Sequence, residues 1–139
     1  MSFDIFLQCL RNGEEAPIPR EMFDAIFGVH DTHPQSRKRD PGYMFVEYPD
    51  GSGGAIYSDY EEGKDATGMM FNHCGGPSFW ADLYELADRS KSVIFWPSKE
   101  SFYLYTDEAV VKDVPKRTFE GGGRLIKSGF EIVAAIEAS

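Results

Sequence analysis

The residues with the most useful chemistry lie in the segment Asn72-His73-Cys74-Gly75-Gly76. This segment joins the end of a predicted strand to a predicted helix, and free N–H groups at a helix N-terminus favour an anion. The two glycines would let a ligand approach the backbone closely. The sequence therefore offers a candidate site for an anion or a small molecule, although the same residues also suit a plain strand-to-helix connection. Its members are His73, Cys74, Gly75, Gly76 and Ser78.

A thiol nucleophile at Cys74 would need a base within hydrogen-bonding distance. His73 is the next residue in the chain, and neighbours on an extended segment point to opposite faces, so His73 is badly placed to accept the proton. The other histidines are His30 and His33, and nothing in the sequence brings them to Cys74. We therefore predict no catalytic residues and favour a non-catalytic role over an enzymatic one.

The spacing of possible metal ligands argues against a metal site. His30 and His33 are one helical turn apart, but the polar residues and proline around them predict a loop, where that spacing has no geometric meaning. Asp59 and Glu61 begin like a calcium-binding loop, yet Lys64 stands where that loop requires glycine. No phosphate-loop, dinucleotide or nucleophile-elbow motif is complete. We expect neither a metal nor a cofactor.

The elements that would hold the candidate site follow from the spacing of apolar residues. Residues 68–72 predict a strand that ends near His73, and residues 92–96 predict a buried strand rich in β-branched and aromatic side chains. Between them, apolar residues recur at helical spacing, and the hydroxyl of Ser78 is predicted to cap this helix. The unit is either a parallel crossover or a helix packed across an antiparallel sheet.

Similar patterns predict the remaining elements. The predicted strands are 3–10, 43–48, 55–58, 102–105 and 124–127; a helix opens at Pro17 and Pro19 and ends at Gly28; residues 29–42 form an exposed loop. Thr106 is predicted to cap a helix over 107–114, with a strand as the alternative. A capping box at Ser128 begins a last helix that turns Phe130 inward.

These elements predict one α+β domain over residues 1–139. A mostly antiparallel twisted sheet carries two or three packed helices, in the order β-α-β-β-β-α-β-β-α-β-α. A chain of 139 residues with 42% hydrophobic residues is long enough to bury a core.

The net charge of −9 argues against nucleic-acid binding, because phosphates attract a basic surface. The one basic run, Arg37-Lys38-Arg39, is short and lies beside Asp40. No apolar run approaches the roughly 20 residues of a membrane span, and the N-terminal residues do not form a signal peptide. We predict a cytoplasmic chain with no membrane partner, in which Cys9 and Cys74 stay as thiols.

Acidic residues are concentrated in the predicted hairpin and the loop that follows it, where only Lys64 opposes them. Together with two tyrosines they define the acidic rim: Glu47, Asp50, Asp59, Glu61, Glu62, Asp65, Tyr57 and Tyr60. Charge complementarity speeds encounter and tyrosines anchor interfaces, so this rim predicts docking onto a basic protein partner. The alternative is that the tyrosines are half-buried strand residues and the acids only confer solubility.

Three segments carry a resemblance: FLQCLRNGE, FVEYPDGSGGAIY and MMFNHCGGPSFWADLYELADRSKSVIFWP. In these the chain resembles a group of small bacterial proteins of uncharacterised activity, which share an aromatic-rich sheet and a Gly-Gly turn before the central helix. Size, acidity and α+β layout are also similar to those of immunity proteins, which neutralise bacterial toxins. The resemblance to this group implies no particular activity. The absence of a complete catalytic motif and the uneven charge, with the likeness in type to immunity proteins, predict an immunity-like protein-binding module. The alternative is the anion or small-molecule site, with an enzymatic role as one form of it.

Overall fold

The computed structural model describes residues 4–33 and 42–139, and it confirms the predicted α+β fold with a mostly antiparallel sheet. These residues form eight strands and three α-helices, one strand more than predicted, because Glu14–Glu15 also pair in the sheet. The described residues also include short 3-10 helices at Gly28–His30 and Glu108–Asp113. The strands and helices are β1 (Ile5–Arg11), β2 (Glu14–Glu15), α1 (Arg20–Ile26), β3 (Tyr43–Glu47), β4 (Gly53–Ser58), β5 (Gly68–Gly75), α2 (Pro77–Ser90), β6 (Ser92–Phe95), β7 (Tyr103–Tyr105), β8 (Gly123–Leu125) and α3 (Gly129–Ala138).

The N-terminal strand β1 lies at the centre of the sheet, whose order is β3-β4-β5-β1-β6-β7-β8, with β2 paired to β1. All pairs are antiparallel except β7 with β8. Because β5 and β6 are both antiparallel to β1, they run parallel to each other. Helix α2 is therefore a crossover that passes over β1 and joins two parallel strands. Because β1 between them is antiparallel to both, the structure has the crossover and the antiparallel sheet that the sequence left as alternatives.

The core lies between one face of the sheet and the three helices. Alternate residues of β1, namely Ile5, Leu7 and Cys9, are at most 1% exposed and point to this face. They join one cluster with side chains of all three helices. At its centre Phe71 of β5 contacts Phe27 and Phe79, with ring centroids 5.9 and 5.8 Å apart.

The other face of the sheet is covered only in part. Over β6 and β7, Val110 of the second 3-10 helix packs with Val93, Tyr103 and Tyr105 in a second cluster. The half formed by β3, β4, β5 and β1 carries none of the three helices, because α1, α2 and α3 all pack against the first face.

The predicted start of the helix after β7 is wrong in detail. Within residues 107–114 only Glu108–Asp113 are helical, as a 3-10 helix, and its cap is the side chain of Asp107, which accepts a hydrogen bond from Ala109 N at 2.9 Å. The Thr106 hydroxyl has no hydrogen-bond partner among the described residues. A carboxylate is the stronger acceptor for an exposed N–H, and two adjacent valines disfavour a longer helix.

The last helix turns a different face to the core than predicted. Phe130 is 76% exposed, whereas Ile132 is fully buried. Gly129 packs so closely on α2 that a Cβ atom there would lie 2.5 Å from the backbone of Trp80. Residues three apart share a helix face, so Gly129 and Ile132 face inward and Phe130, one residue on from Gly129, faces outward.

We predict that Phe71→Ala lowers the free energy of unfolding by about 3–5 kcal/mol, because it leaves a cavity among packed aromatic rings. The matched control, Phe130→Ala on the exposed face of α3, should stay within about 0.5 kcal/mol of the parent protein. Urea unfolding followed by fluorescence measures both. Similar losses in the two variants would contradict the placement of the core.

Candidate functional site

The hairpin between β3 and β4 caps the N-terminus of α2. Ser52 Oγ accepts a hydrogen bond from Ser78 N at 3.2 Å, and Asp50 Oδ2 accepts one from Ser78 Oγ at 2.6 Å. The hairpin itself is closed by a 2.9 Å hydrogen bond from Ser52 N to Asp50 Oδ1. Ser78 was predicted to cap this helix with its own hydroxyl, but the helix begins at Pro77, so Ser78 lies inside the first turn and receives its cap from the hairpin.

The carboxylate of Asp50 occupies the position predicted for an external anion. Hydrogen bonds from Ser78 and then from Ser52 lower the pKa of Asp50 to about 2, so the group is charged at neutral pH. A negative side chain near the first turn of a helix is stabilised by the helix dipole. A second anion placed at Ser78 would meet this carboxylate, so the geometry argues against an anion site there.

The two glycines before α2 differ in role. Gly76 has φ 95, and a Cβ atom on it would lie 2.1 Å from Ser52 Oγ, so only glycine lets the hairpin approach the helix. A Cβ atom on Gly75 would meet nothing within 4 Å. Gly76 is therefore required by the contact between hairpin and helix, and Gly75 is not.

A second contact between hairpin and helix involves Tyr48, Asp82 and His30. The Tyr48 hydroxyl donates to Asp82 Oδ2 at 2.6 Å, and His30 Nε2 lies 3.8 Å from the same oxygen. The His30 ring stacks on Tyr48 with centroids 4.0 Å apart. Burial, and then the hydrogen bond and charge of Asp82, hold the pKa of Tyr48 well above its ordinary value. Tyr48 is therefore a buried donor, and sequence analysis missed this cluster because its members are far apart in the chain.

His73, Cys74 and Gly75 line one depression of about 570 Å³, but no histidine of the described residues forms a hydrogen bond with the Cys74 thiol. Strand β5 continues to Gly75 rather than ending near His73, which is exposed and has φ 49. Cys74 is half-buried, and burial raises the pKa of its thiol to about 11, so it stays protonated at neutral pH and is a weak nucleophile. His30 contacts Tyr48, and the backbone N–H of exposed His33 donates to Asp31 Oδ1 at 2.9 Å.

The predicted acidic rim is divided between the two ends of β4. Glu47 and Asp50 lie at the hairpin end, and Asp59, Glu61, Glu62 and Asp65 lie at the other. A strand of six residues separates the two groups by roughly 20 Å. Asp50 accepts a hydrogen bond from Ser78 in the first turn of α2. Asp65 Oδ1 accepts a hydrogen bond from Arg20 N of α1 at 3.4 Å. The remaining four acids are exposed, and no basic side chain of the described residues forms an ion pair with them.

The two rim tyrosines have different environments. Tyr57 is 39% exposed, as a surface contact requires. Tyr60 is only 2% exposed, its ring packs against Phe23, and its hydroxyl donates to the Ile18 carbonyl oxygen at 2.9 Å. Tyr60 is therefore a core residue rather than an anchor for a partner, because its ring is needed to fill the space beneath α1.

No family model, curated protein or solved structure matches the chain. Among residues 4–33 and 42–139, no group of three or more histidine, cysteine, aspartate or glutamate side chains is placed to hold a metal ion. None of the helices in those ranges is both long and apolar enough to cross a membrane. The basic run Arg37-Lys38-Arg39 lies outside the described residues.

The Asp50 cap predicts a pH dependence of stability. An unfolded aspartate titrates near 3.8 and folded Asp50 near 2, so its contribution is fully present above about pH 4 and is lost as the pH falls toward 2. The difference in unfolding free energy between the parent protein and Asp50→Asn should therefore shrink over that range. Asp59→Asn, at an exposed acid with no hydrogen bond to the described residues, is the control. A difference that does not change with pH would contradict the assignment.

Alanine substitutions at three glycines should differ in effect. Gly75→Ala meets no atom, Gly51→Ala imposes only a strained φ of 88, and Gly76→Ala adds overlap with Ser52 to a strained φ. We expect losses of unfolding free energy near zero, about 1 kcal/mol and at least about 2 kcal/mol, respectively. Chemical denaturation measures the series. A loss for Gly76→Ala no greater than that for Gly51→Ala would show that the hairpin does not pack tightly on α2.

Proposed function

We propose that this chain is a protein-binding module that engages a basic partner through exposed carboxylates and has no catalytic role. The observation that carries the proposal is the set of four exposed acids without an ion-pair partner among the described residues, in a chain of net charge −9. They are Glu47, Asp59, Glu61 and Glu62. Such charges attract a basic surface over a distance and align it before contact.

The contacts at the candidate anion or small-molecule site, from His73 to Ser78, support the same proposal. Asp50 and Ser52 occupy the N-terminus of α2, and the Cys74 thiol has a raised pKa. A depression of about 570 Å³ lies beside His73, but Glu47 is among its lining residues and would repel an anion. We therefore place the anion or small-molecule function second.

We further propose binding of the immunity type, in which a small acidic protein occupies a basic surface of a toxin. The support is the resemblance in size, acidity and α+β layout. A cytoplasmic location is part of this proposal, because Cys9 and Cys74 are free thiols and a reducing compartment would keep them so.

The proposal predicts that neutralising three loop acids weakens partner capture. The variant carries Asp59→Asn, Glu61→Gln and Glu62→Gln. Bait protein is immobilised and exposed to lysate of the source cells at about 0.05 M and about 0.5 M salt, which differ strongly in screening. The captured protein should be basic, should be released at the higher salt, and should bind the variant about tenfold more weakly, since each exposed charge contributes up to about 1 kcal/mol.

The control makes the same change in net charge elsewhere on the surface, at exposed Glu85, Glu120 and Glu137. It should capture the partner as the parent protein does. Capture of an acidic protein, capture that ignores salt, or equal losses in the two variants would each refute the proposal.

A further inference from the structure

A row of apolar side chains crosses the face of the sheet opposite the helices. Strand register places its members side by side on five neighbouring strands, β3, β4, β5, β1 and β6. They are Tyr43, Tyr57, Met70, Phe6 and Phe95, and we call them the aromatic row. Tyr43 packs on Tyr57 with ring centroids 5.0 Å apart, and Phe6 stacks on Phe95 at 5.4 Å.

Most of the aromatic row is partly accessible to solvent. At one end Phe95 is covered by Phe119, with ring centroids 5.2 Å apart. Of the other four members Tyr57 is exposed and the rest are half-buried, and the α-helices α1, α2 and α3 all lie on the opposite face. Neighbouring apolar side chains that stay open on a sheet mark a surface for a further molecule.

Carboxylates flank the aromatic row at both ends of β4. The depression of about 570 Å³ at the hairpin end is lined by Phe45 and Glu47, among other residues. A second depression, of about 340 Å³, is lined at the opposite end by Glu15, Tyr57 and Asp59, among other residues. Each depression thus combines an aromatic ring with at least one carboxylate. Arginine and lysine match this combination, because their stems pack on rings and their charged groups bind carboxylates.

We propose that the aromatic row is the docking surface for the partner, and that its occupant is a basic polypeptide segment. Apolar side chains of the segment would pack on Tyr43, Tyr57 and Met70. Its arginine or lysine side chains would reach Glu47 at one end and Glu15 and Asp59 at the other. This inference rests on the proposed function and names the surface that performs it.

The size of the surface limits the form of the occupant. The two depressions are separated by the six residues of β4, or roughly 20 Å. An extended segment of about six residues spans that distance, and so does a helix of about 13 residues. Two cationic side chains at that separation, with apolar residues between them, make up the predicted recognition pattern.

Charge selects this occupant over a second copy of the same chain. Two copies packed through the aromatic row would bring the carboxylates of Glu47, Glu15 and Asp59 close to one another in molecules that each carry a net charge of −9. Like charges near a contact oppose association, and a basic segment removes that repulsion.

The test uses a displayed library of random 12-residue peptides, selected on the immobilised parent protein. Three variants then measure where the selected peptides bind. The row variant, Tyr43→Thr with Tyr57→Thr, removes the two tyrosine rings of the aromatic row and keeps residues that favour a strand. The flank variant, Glu15→Gln with Asp59→Asn, removes carboxylates only. Phe130→Ala, which removes an exposed ring from α3, is the control.

We expect selected peptides that combine arginine or lysine with apolar residues. They should bind the row variant and the flank variant at least about tenfold more weakly than the parent protein, and bind the control equally well. Urea unfolding of each variant establishes that it is folded before its affinity is compared.

The contrary outcomes separate this inference from the function on which it rests. Basic peptides that bind the row variant as tightly as the parent protein would overturn the docking surface and leave the proposed function standing. Selected peptides without an excess of basic residues would overturn both. Sedimentation that finds a dimer of the parent protein, and a monomer of the row variant, would replace the basic segment with a second copy.

Discussion

The contact between the β3–β4 hairpin and the N-terminus of α2 constrains much of this structure. Gly76 has no side chain, so Ser52 can approach the first turn of the helix, and Asp50 then supplies a charge at the position that the helix dipole favours. Tyr48 adds a buried hydrogen bond to Asp82 one turn further along. These contacts hold the hairpin and the helix together. They also fix the position of the strands that lie beneath the helix.

The same contact has a consequence for function. A helix N-terminus is a natural place for a phosphate or a carboxylate, and here the chain fills it with its own carboxylate. Gly76 and Ser78 of the candidate segment therefore hold the hairpin against α2, whereas His73, Cys74 and Gly75 line a depression. The proposed recognition therefore relies on the surface, with exposed acids near both ends of β4 and a sheet face that none of the three α-helices covers.

The local sequence pattern predicted the secondary structure correctly where the residues of a single element determine it. Alternation in β1, the helical spacing of α2 and the glycine-rich hairpin were all predicted and are all present. Predictions were wrong where two elements compete for one residue. Phe130 is displaced outward because Gly129 takes the contact with α2, and Tyr60 is drawn inward because its ring packs against α1. The spacing of residues along the chain does not indicate such contacts between elements.

The sequence by itself determined the α+β class, the identity of most strands and helices, and the acidic character of the surface, because these depend on residue types and their periodicity. Only the tertiary structure decided which acids are free. Asp50 and Asp65 are engaged by helix N-termini, whereas Glu47, Asp59, Glu61 and Glu62 form no ion pair with the described residues. The physical reason is that a carboxylate binds whatever donor the fold brings to it, and these donors lie tens of residues away in the chain.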